Sequence, residues 1–367
     1  MVTSESWIVE TVKARNEGVS VIGYRSSAVR VSISDGKPCN DDVALLKRYL
    51  YSGSLCINRE GMSEVGLVPF ARVALEVARE VLPSYSHRFS PQRFTQPQLL
   101  AILCLMRYED WTFRGAEIRL GEHGELRRAL EVQAVPDHST LFRFMLRLEE
   151  RVIGQALAEV VRRLQKKKPG SSRTKIVVAV DATGLAPGAI STFFIRRREQ
   201  HGGAPMPWRY WLKWLLAIDT RRRLILAQKA HQGPVNDCAT LRPLLDEVVT
   251  TLPITTVLAD AEFDSERNHR HIREQCRAKS IIPAKRTRPE WKLHGVRAQM
   301  RAAFPAKAYR QRVHAETVFS AIKRKLSARA PGRSLITQRK QALLLGLAYN
   351  LYRLWRRALL QLPIANA

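Results

Sequence analysis

The 367-residue sequence predicts an α/β chain, in which a mainly helical region precedes a mixed β-sheet with flanking helices. Between about residues 95 and 165, apolar residues recur at helical spacing. After residue 174 the chain contains continuous β-branched runs, which are typical of strands buried on both faces. Strands come first in this part and then alternate with helices, which is the order expected of a mixed sheet covered by helices.

The helical region spans about residues 95–165 and has two recognisable helix starts. Thr95 and Gln98 form a capping box before an apolar run. Asp137 is placed to cap a second helix. The apolar face of that helix carries Leu141, Phe144, Met145, Leu148 and Val152. Several short helices with tight connections are typical of a helix-turn-helix DNA-binding unit, but a plain helical bundle fits the same pattern.

Three parts of the chain are expected. Residues 1–94 are an N-terminal region of unclear fold, with short β-branched runs between residues 19 and 34 and helical spacing over residues 43–50 and 68–81. We assign this region no function. Residues 95–165 are the helical region, and residues 172–355 hold the sheet. The boundary lies in the basic, turn-rich segment Lys-Lys-Lys-Pro-Gly-Ser-Ser of residues 166–172.

Strands and helices of the third part follow from the same patterns. The predicted strands cover residues 175–180, 190–195, 210–218, 224–228, 254–259 and 280–283. One predicted helix carries Leu241, Leu244, Leu245 and Val248, and another covers about residues 265–276.

The charge points to a polyanionic partner. Lys and Arg total 61 against 33 Asp and Glu, for a formal charge of +28 and a pI near 10.6. Nucleic acid is the first candidate for such a balance and an anionic membrane the second. A spanning helix needs about twenty apolar residues, and the best candidate, residues 342–360, is interrupted by Asn350, Arg353, Arg356 and Arg357. We therefore expect no membrane association.

The cysteines and the N-terminus indicate a reducing compartment. The five cysteines are odd in number and far apart, so they form neither a disulfide framework nor a pair spaced for zinc. The N-terminal residues lack the basic and then apolar start of a signal peptide. A cytoplasmic protein is expected.

Two aspartates follow buried runs at equivalent places. Asp181 ends Ile-Val-Val-Ala-Val, and Asp260 ends Thr-Thr-Val-Leu-Ala. Sites in open α/β sheets gather at the carboxyl ends of strands, and paired carboxylates there suit hard divalent cations. Each aspartate by itself is more simply explained as a turn or helix-capping residue. Asp219 also ends an apolar run and is the main rival ligand, although the following Thr-Arg-Arg-Arg indicates a hairpin turn.

A third carboxylate lies in a basic part of the chain. Residues 267–340 carry 21 Lys or Arg, no Asp and three Glu. On a helix, Tyr309, Arg312, Glu316 and Lys323 fall within roughly 60° of one another. The apolar residues Ala315, Val318, Ile322 and Leu326 centre roughly 100° away from this stripe. A solvated helix with stabilising Arg-Glu pairs shows similar spacing.

The order of Asp181, Asp260 and Glu316 on strand, strand and helix resembles that of the DDE transposases and the retroviral-type integrases. More narrowly, Tyr309-x2-Arg312-x3-Glu316-x6-Lys323 is similar to the signature of the insertion-sequence family 4 transposases and the related family 5. The likeness covers about residues 95–355.

Two features depart from the family pattern. The segment around Asp260 resembles the second acidic motif of the family. It continues with Ala261-Glu-Phe263, where the family usually has Lys-Gly-Tyr, so a basic residue and a glycine are lost. Asp260 and Glu316 are only 56 positions apart. This interval has no room for the large β-rich insertion of many family 4 members, and the shorter architecture of family 5 fits better.

The resemblance implies a ribonuclease-H-like catalytic domain over residues 172–355. It implies that Asp181, Asp260 and Glu316 are both the catalytic residues and the metal ligands, holding two Mg²⁺ ions with Mn²⁺ as a substitute. It also implies DNA contacts from Tyr309, Arg312 and Lys323.

The implied partners are double-stranded DNA, namely transposon terminal inverted repeats and target DNA, and a second copy of the chain in a homodimer on the DNA ends. The implied setting is the nucleoid of a prokaryotic cytoplasm. Two alternatives remain open: a stand-alone nuclease of the same fold, and a non-catalytic DNA-binding protein derived from a transposase.

Three further residues have narrower expectations. Asp237 and Asp264 look like helix caps. Trp291, in a basic loop, is a weaker candidate for stacking on an extruded base.

Overall fold

The structure is a computed structural model that describes residues 19–22, 30–33, 66–89, 92–165, 176–187, 200, 211–233, 237–285 and 294–359. The chain divides into two compact units, Met1–Ser63 and Glu64–Ala367. In the first unit, strands β1 (Val19–Ile22) and β2 (Arg30–Ile33) pair antiparallel, with Val19 opposite Ile33. These strands coincide with the β-branched runs in the sequence. The expected helix over residues 43–50 lies outside the described residues.

Helices open the second unit. They are α1 (Leu67–Val81), α2 (Gln96–Tyr108), α3 (Phe113–Glu122), α4 (Gly124–Ala129), α5 (His138–Arg147) and α6 (Glu150–Gln165). Both expected caps are present. Gln98 N donates to Thr95 Oγ1 at 3.3 Å and Thr95 N donates to Gln98 Oε1 at 2.8 Å. Ser139 N donates to Asp137 Oδ1 at 2.7 Å.

The helix expected to continue from Asp137 to Val152 is instead two helices. Leu148 ends α5 with an extended backbone, and its N–H donates to Phe144 O. The break redirects the chain without changing what is buried, because Leu148 and Val152 both remain in the core.

A five-stranded mixed sheet follows, and this confirms the predicted fold class. Its strands are β3 (Val177–Leu185), β4 (Leu212–Asp219), β5 (Leu224–Gln232), β6 (Thr256–Ala259) and β7 (Lys279–Ile281). The strand order is β5-β4-β3-β6-β7. The pairs β3–β4 and β4–β5 are antiparallel, whereas β3–β6 and β6–β7 are parallel. This is the ribonuclease-H-like arrangement. The further strand expected over residues 190–195 lies outside the described residues.

Helices cover the two faces of the sheet. The helices that follow β5 are α7 (Leu241–Thr251), α8 (Glu266–Arg270), α9 (Gly295–Ala302), α10 (Ala306–Tyr309), α11 (Val313–Lys325) and α12 (Leu335–Leu359). Helix α7 packs its leucines against Val178 and Val180 of β3. Since successive side chains of a strand alternate between faces, Ala179, Asp181 and Thr183 belong to the other face, on which α11 packs. The helix expected over residues 265–276 contains a π-helical turn, His271–Gln275.

Helix α12 joins the helical region to the sheet. It packs against α2, α6 and the edge strand β5. Asn350 satisfies the backbone N–H and C=O of Ile225 on the open edge of β5. Its Oδ1 accepts from Ile225 N at 3.1 Å, and its Nδ2 donates to Ile225 O at 2.7 Å. Gly346 allows this approach, because a Cβ there would lie 2.1 Å from Gln228 Oε1. None of the described helices is long and apolar enough to cross a membrane.

The expected boundary at residues 166–172 lies outside the described residues. Described helices on one side of it and strands on the other share one compact unit, Glu64–Ala367. The three-part division of the chain therefore stays a prediction.

Asp264 is a buried ion-pair partner, although the sequence suggested a helix cap. Its Oδ1 accepts from Arg297 Nε at 2.8 Å, and its Oδ2 accepts from Arg297 Nη2 at 2.6 Å and from Lys285 N at 2.9 Å. Burial by itself would raise the pKa of Asp264, but these hydrogen bonds outweigh it and hold the pKa below its ordinary value. Ser265 caps α8 instead, accepting from Asn268 N.

Asp264→Asn should destabilise the protein strongly. The substitution leaves Arg297 as a buried charge without a compensating partner, which typically costs about 3–5 kcal/mol. We expect this loss in the free energy of unfolding, measured at neutral pH with urea. The exposed Asp246, which contacts His271, supplies the control Asp246→Asn, for which a loss below about 1 kcal/mol is expected.

The difference between wild type and Asp264→Asn should shrink in acid. A carboxylate whose pKa is lowered by folding stabilises fully above its unfolded-state pKa of about 3.9 and stops doing so as the pH falls through the lower folded-state pKa. Equal losses in the two variants at neutral pH would contradict a buried ion pair.

Candidate active site

The two strand aspartates lie side by side because of the parallel register of β3 and β6. The last pair in this ladder is Val180 with Ala259. Asp181 and Asp260 occupy the next position on each strand, and both keep an extended backbone. Neighbouring strands lie about 4.8 Å apart, and equivalent positions present their side chains to the same face. The register therefore places both carboxylates on the α11 face of the sheet.

Asp181 does not end its strand, although the sequence suggested that it would. β3 continues to Leu185 because β4 extends the antiparallel ladder past the end of β6, and Asp181 pairs with Leu216. Asp181 Oδ1 accepts from Ala182 N at 2.9 Å. Asp260 does end β6, and it caps the following 3₁₀ turn by accepting from Glu262 N at 2.8 Å.

Helix α11 brings Glu316 to the same face. Its expected apolar side is confirmed: Ala315, Val318, Ile322 and Leu326 are all buried. Phe319, which the sequence stripe did not include, is also buried and meets the ring of Trp214 on β4 at 6.1 Å. This packing fixes the rotation of the helix. The Glu316 side chain is 56% exposed.

Arg312 connects two of the three acids. Its Nη1 donates to Asp181 Oδ2 at 2.9 Å, and its Nη2 donates to Glu316 Oε1 at 2.9 Å. Burial disfavours the charged guanidinium, but Asp181, Tyr309, Glu316 and Asp260 outweigh it and raise the pKa of Arg312. Arg312 therefore pairs directly with Asp181 and Glu316, and the Asp260 carboxylate lies near enough to help raise its pKa.

The acids are crowded and partly desolvated. Burial raises the pKa of Asp181, and the Asp260 and Glu316 carboxylates add to the rise. Burial also raises the pKa of Asp260, with Glu262 and Asp237 acting in the same direction. Both shifts mean that a cation among these carboxylates relieves an unfavourable arrangement.

The other two members of the stripe lie at the same site. The Tyr309 ring has its centroid 5.8 Å from the Arg312 guanidinium carbon, and burial raises the pKa of its phenol. Lys323 Nζ donates to Thr183 Oγ1 at 2.6 Å. Thr183, two positions beyond Asp181 on β3, is a site residue that the sequence patterns did not single out. The available signal was its position two residues after Asp181, since residues two apart on a strand share a face.

Asp219 lies away from the site. It pairs with Val178 at the other end of β3, three positions or about 10 Å from Asp181. Its Oδ1 accepts from Arg221 N at 2.9 Å and from Arg222 N at 3.0 Å. Asp219 therefore stabilises the β4–β5 hairpin turn, which is the structural role its sequence context suggested.

Asp237 also differs from the helix cap that the sequence suggested. It is fully buried, with Oδ2 at 2.5 Å from Lys213 Nζ and Oδ1 at 3.2 Å from His231 Nε2. Lys213 Nζ also lies 3.6 Å from Glu262 Oε2. This cluster of Lys213, His231, Asp237 and Glu262 borders Asp260. Trp291 lies outside the described residues.

A group away from the three acids has the spacing of metal ligands. Among the described residues, Glu117, Asp137 and His138 alone form a group of three or more such residues whose ligand atoms all lie within 4.8 Å of one another. Its contacts are those of a helix start: His138 N and Nδ1 both meet Glu117 Oε2, and Asp137 caps α5. These contacts account for the group without a metal ion.

The family comparison agrees with the geometry. The family model described as the transposase DDE domain matches residues 172–351, a range that includes β3 to β7, α11 and the three acids. No curated protein is significantly similar to the chain.

Arg312→Ala should tighten the binding of divalent cations in the absence of DNA. The substitution removes a positive charge that lies 2.9 Å from oxygens of both Asp181 and Glu316, and charge repulsion over a few ångströms changes affinity by about tenfold or more. The measurement is Mn²⁺ titration of the DNA-free protein by electron paramagnetic resonance.

Arg310→Ala is the matched control, since Arg310 lies in the same 3₁₀ turn and is exposed. Its Mn²⁺ affinity should stay close to that of the wild type. Weaker binding in Arg312→Ala would show that the guanidinium organises the carboxylates more than it competes for them.

Proposed function

Because residues 172–351 form a transposase DDE domain, we propose that the protein cuts DNA at the ends of a mobile element and joins those ends to target DNA. The observation that carries the proposal is the meeting of three acids from distant parts of the chain. Asp181 and Asp260 adjoin through the β3–β6 register, and Arg312 ties Glu316 to Asp181.

The three carboxylates suit Mg²⁺, with Mn²⁺ as a substitute, because hard cations take oxygen ligands. In the proposal Asp181, Asp260 and Glu316 would together hold two such ions. The ions would supply charge stabilisation for the attacking and the leaving oxygen in an in-line displacement at phosphorus.

The protein's cations hold the phosphodiester in this scheme. Arg312 and Lys323 bind nonbridging phosphate oxygens beside the scissile bond, and Tyr309 donates its hydroxyl to the same backbone. Water attacks phosphorus first, and the departing oxygen becomes a 3′-hydroxyl on the element end. That hydroxyl then attacks phosphorus in a target strand, which forms the new P–O bond and releases a 3′-hydroxyl of the target.

The family 5 type of insertion sequence is proposed in preference to family 4. Between Asp260 and Glu316 the described chain contains α8, β7, α9 and α10, all of them short. These elements carry the chain from β6 to α11 with no β-rich insertion among the described residues.

The proposed DNA-binding region is the helical part before the sheet. Helix α5 exposes Phe142, Arg143, Leu146 and Arg147 along one side, a face that suits a duplex because it combines cations with contact surface. Partners in the proposal are terminal inverted repeats, target DNA and a second copy of the chain. The proposed setting is a prokaryotic cytoplasm, on the nucleoid.

Two alternative functions can be distinguished from transposition. A stand-alone nuclease would cut DNA but leave no joined strands, so strand-transfer products in a plasmid assay distinguish it from a transposase. A non-catalytic DNA-binding protein would have no need of Asp181, Asp260 and Glu316, and the intact triad speaks against it.

Asp181→Asn, Asp260→Asn and Glu316→Gln should each abolish cleavage while leaving DNA binding largely unchanged. Each removes a ligand charge without opening a cavity. The measurement is nicking, with Mg²⁺ or Mn²⁺, of duplexes that carry the sequences flanking the gene. Glu274→Gln is the control, because Glu274 is an exposed carboxylate that contacts Arg270. Near-wild-type nicking by any of the three variants would remove that residue from the site.

Arg312→Ala and Lys323→Ala should slow cleavage more than they weaken DNA binding. Many other cations hold the duplex, whereas misplacement of the reacting phosphate acts directly on the barrier, and in-line attack tolerates little of it. Cleavage should fall by about tenfold or more in single-turnover assays.

Arg324→Ala and Lys325→Ala are the controls for these two variants. They remove the same charge from α11, the helix that carries Lys323, at positions turned roughly 80° and 180° from Glu316. Equal losses of cleavage in all four variants would mean that the stripe is only part of a general basic surface.

A further inference from the structure

Lys323 and Arg312 are held by chemically different partners. Arg312 forms ion pairs with two carboxylates. Lys323 instead meets a neutral hydroxyl, with Nζ 2.6 Å from Thr183 Oγ1. A hydroxyl oxygen orients an ammonium group without cancelling its charge. Among the described residues, the hydroxyl takes up one of the three N–H donors of the ammonium group, which leaves two for another acceptor.

The backbone fixes the place of this contact relative to Asp181. Thr183 lies two positions after Asp181 on β3, so both side chains stand on the same face, about 7 Å apart along the strand. Thr183 pairs with Trp214 of β4. Trp214 meets Phe319, which lies one helical turn before Lys323 on α11.

Two neighbouring contacts therefore join α11 to the same pair of strand residues. The Phe319 ring packs on Trp214, and Lys323 bonds to Thr183. Helix α11 also packs against the sheet through buried apolar side chains, namely Ala315, Val318, Phe319 and Ile322. The Thr183 hydroxyl is therefore one contact among several for the helix, whereas for the end of the Lys323 side chain it is the hydrogen-bond partner.

We infer that Thr183 is a positioning residue for the proposed reaction: its hydroxyl holds the Lys323 ammonium beside Asp181, ready to receive a phosphate oxygen of DNA. The inference rests on the proposed function. A lysine side chain has several freely rotating bonds and loses substantial conformational entropy when it is fixed. A hydroxyl that fixes it in advance removes this cost from the reacting complex.

The test compares Thr183→Val with Thr183→Ser. Valine keeps the β-branched shape that suits a strand but offers no acceptor, whereas serine keeps the hydroxyl. The substrate is a duplex carrying the sequence that flanks the gene, with Mg²⁺ or Mn²⁺, and each variant is measured for DNA affinity, single-turnover cleavage and thermal unfolding. Thr183→Val should cleave about ten- to a hundredfold more slowly, the usual effect of losing a hydrogen bond to a charged group.

DNA affinity of Thr183→Val should stay within about threefold of the wild type, because many other cations bind the backbone. Thr183→Ser should recover most of the cleavage rate, which a role in strand stability alone would not produce. In a Lys323→Ala background, Thr183→Val should have no further effect, since the two residues then act through one interaction. Thr250→Val is the matched control, because Thr250 is exposed on α7 and its hydroxyl donates to Glu247 O.

The possible failures are distinct. A wild-type protein that neither nicks nor joins the duplex overturns the proposed function and this inference with it. An active wild type with Thr183→Val cleaving at the same rate overturns the positioning role alone. Additive losses in the double variant would do the same, because they would show that Thr183 acts independently of Lys323.

Discussion

The parallel pairing of β3 with β6 is the constraint on which the candidate site depends. Asp181 and Asp260 adjoin only because Val180 and Ala259 are opposite each other. A shift of one residue would turn either carboxylate to the other face of the sheet. The core holds this register, since Val178 and Val180 on β3 and Val257 and Ala259 on β6 pack into one cluster with α7. Packing on the α7 face of the sheet thus holds the register that places both carboxylates on the α11 face.

The α11 face shows how a strongly basic chain builds an acidic centre. The protein carries a formal charge of +28, yet burial and neighbouring carboxylates raise the pKa of both strand aspartates. Arg312 compensates the crowding locally. The edge of the sheet is closed separately, where Asn350 pairs with Ile225 and Gly346 lets α12 come close. Scaffold and site therefore use different polar residues, so changes in the site carboxylates leave the hydrogen bonds of the frame in place.

Local sequence patterns predict a structural feature correctly where residues close in the chain determine that feature. The Thr95 capping box, the Asp137 cap and the apolar side of α11 each depend on residues within a few turns. Features that depend on distant partners were wrong or absent. Asp264 looked like a cap because its partner Arg297 lies 33 positions away, and β3 was predicted too short because its last residues pair only with β4. Thr183 likewise has no local signal for its contact, because its partner Lys323 lies 140 positions further on.

Arg312 faces two demands that cannot be met at once. Its guanidinium neutralises Asp181 and Glu316 in the DNA-free protein, while the proposed reaction requires it to bind a phosphate and requires the carboxylates to bind metal ions. When DNA draws Arg312 away, the two carboxylates lose a cation and gain affinity for another. Metal ions that occupy the carboxylates release Arg312 for DNA in turn, and the two effects are equal because linkage is reciprocal. Under the proposed function, a site of this design would take up its metal ions and its DNA together, while in the DNA-free protein Arg312 keeps Asp181 and Glu316 paired.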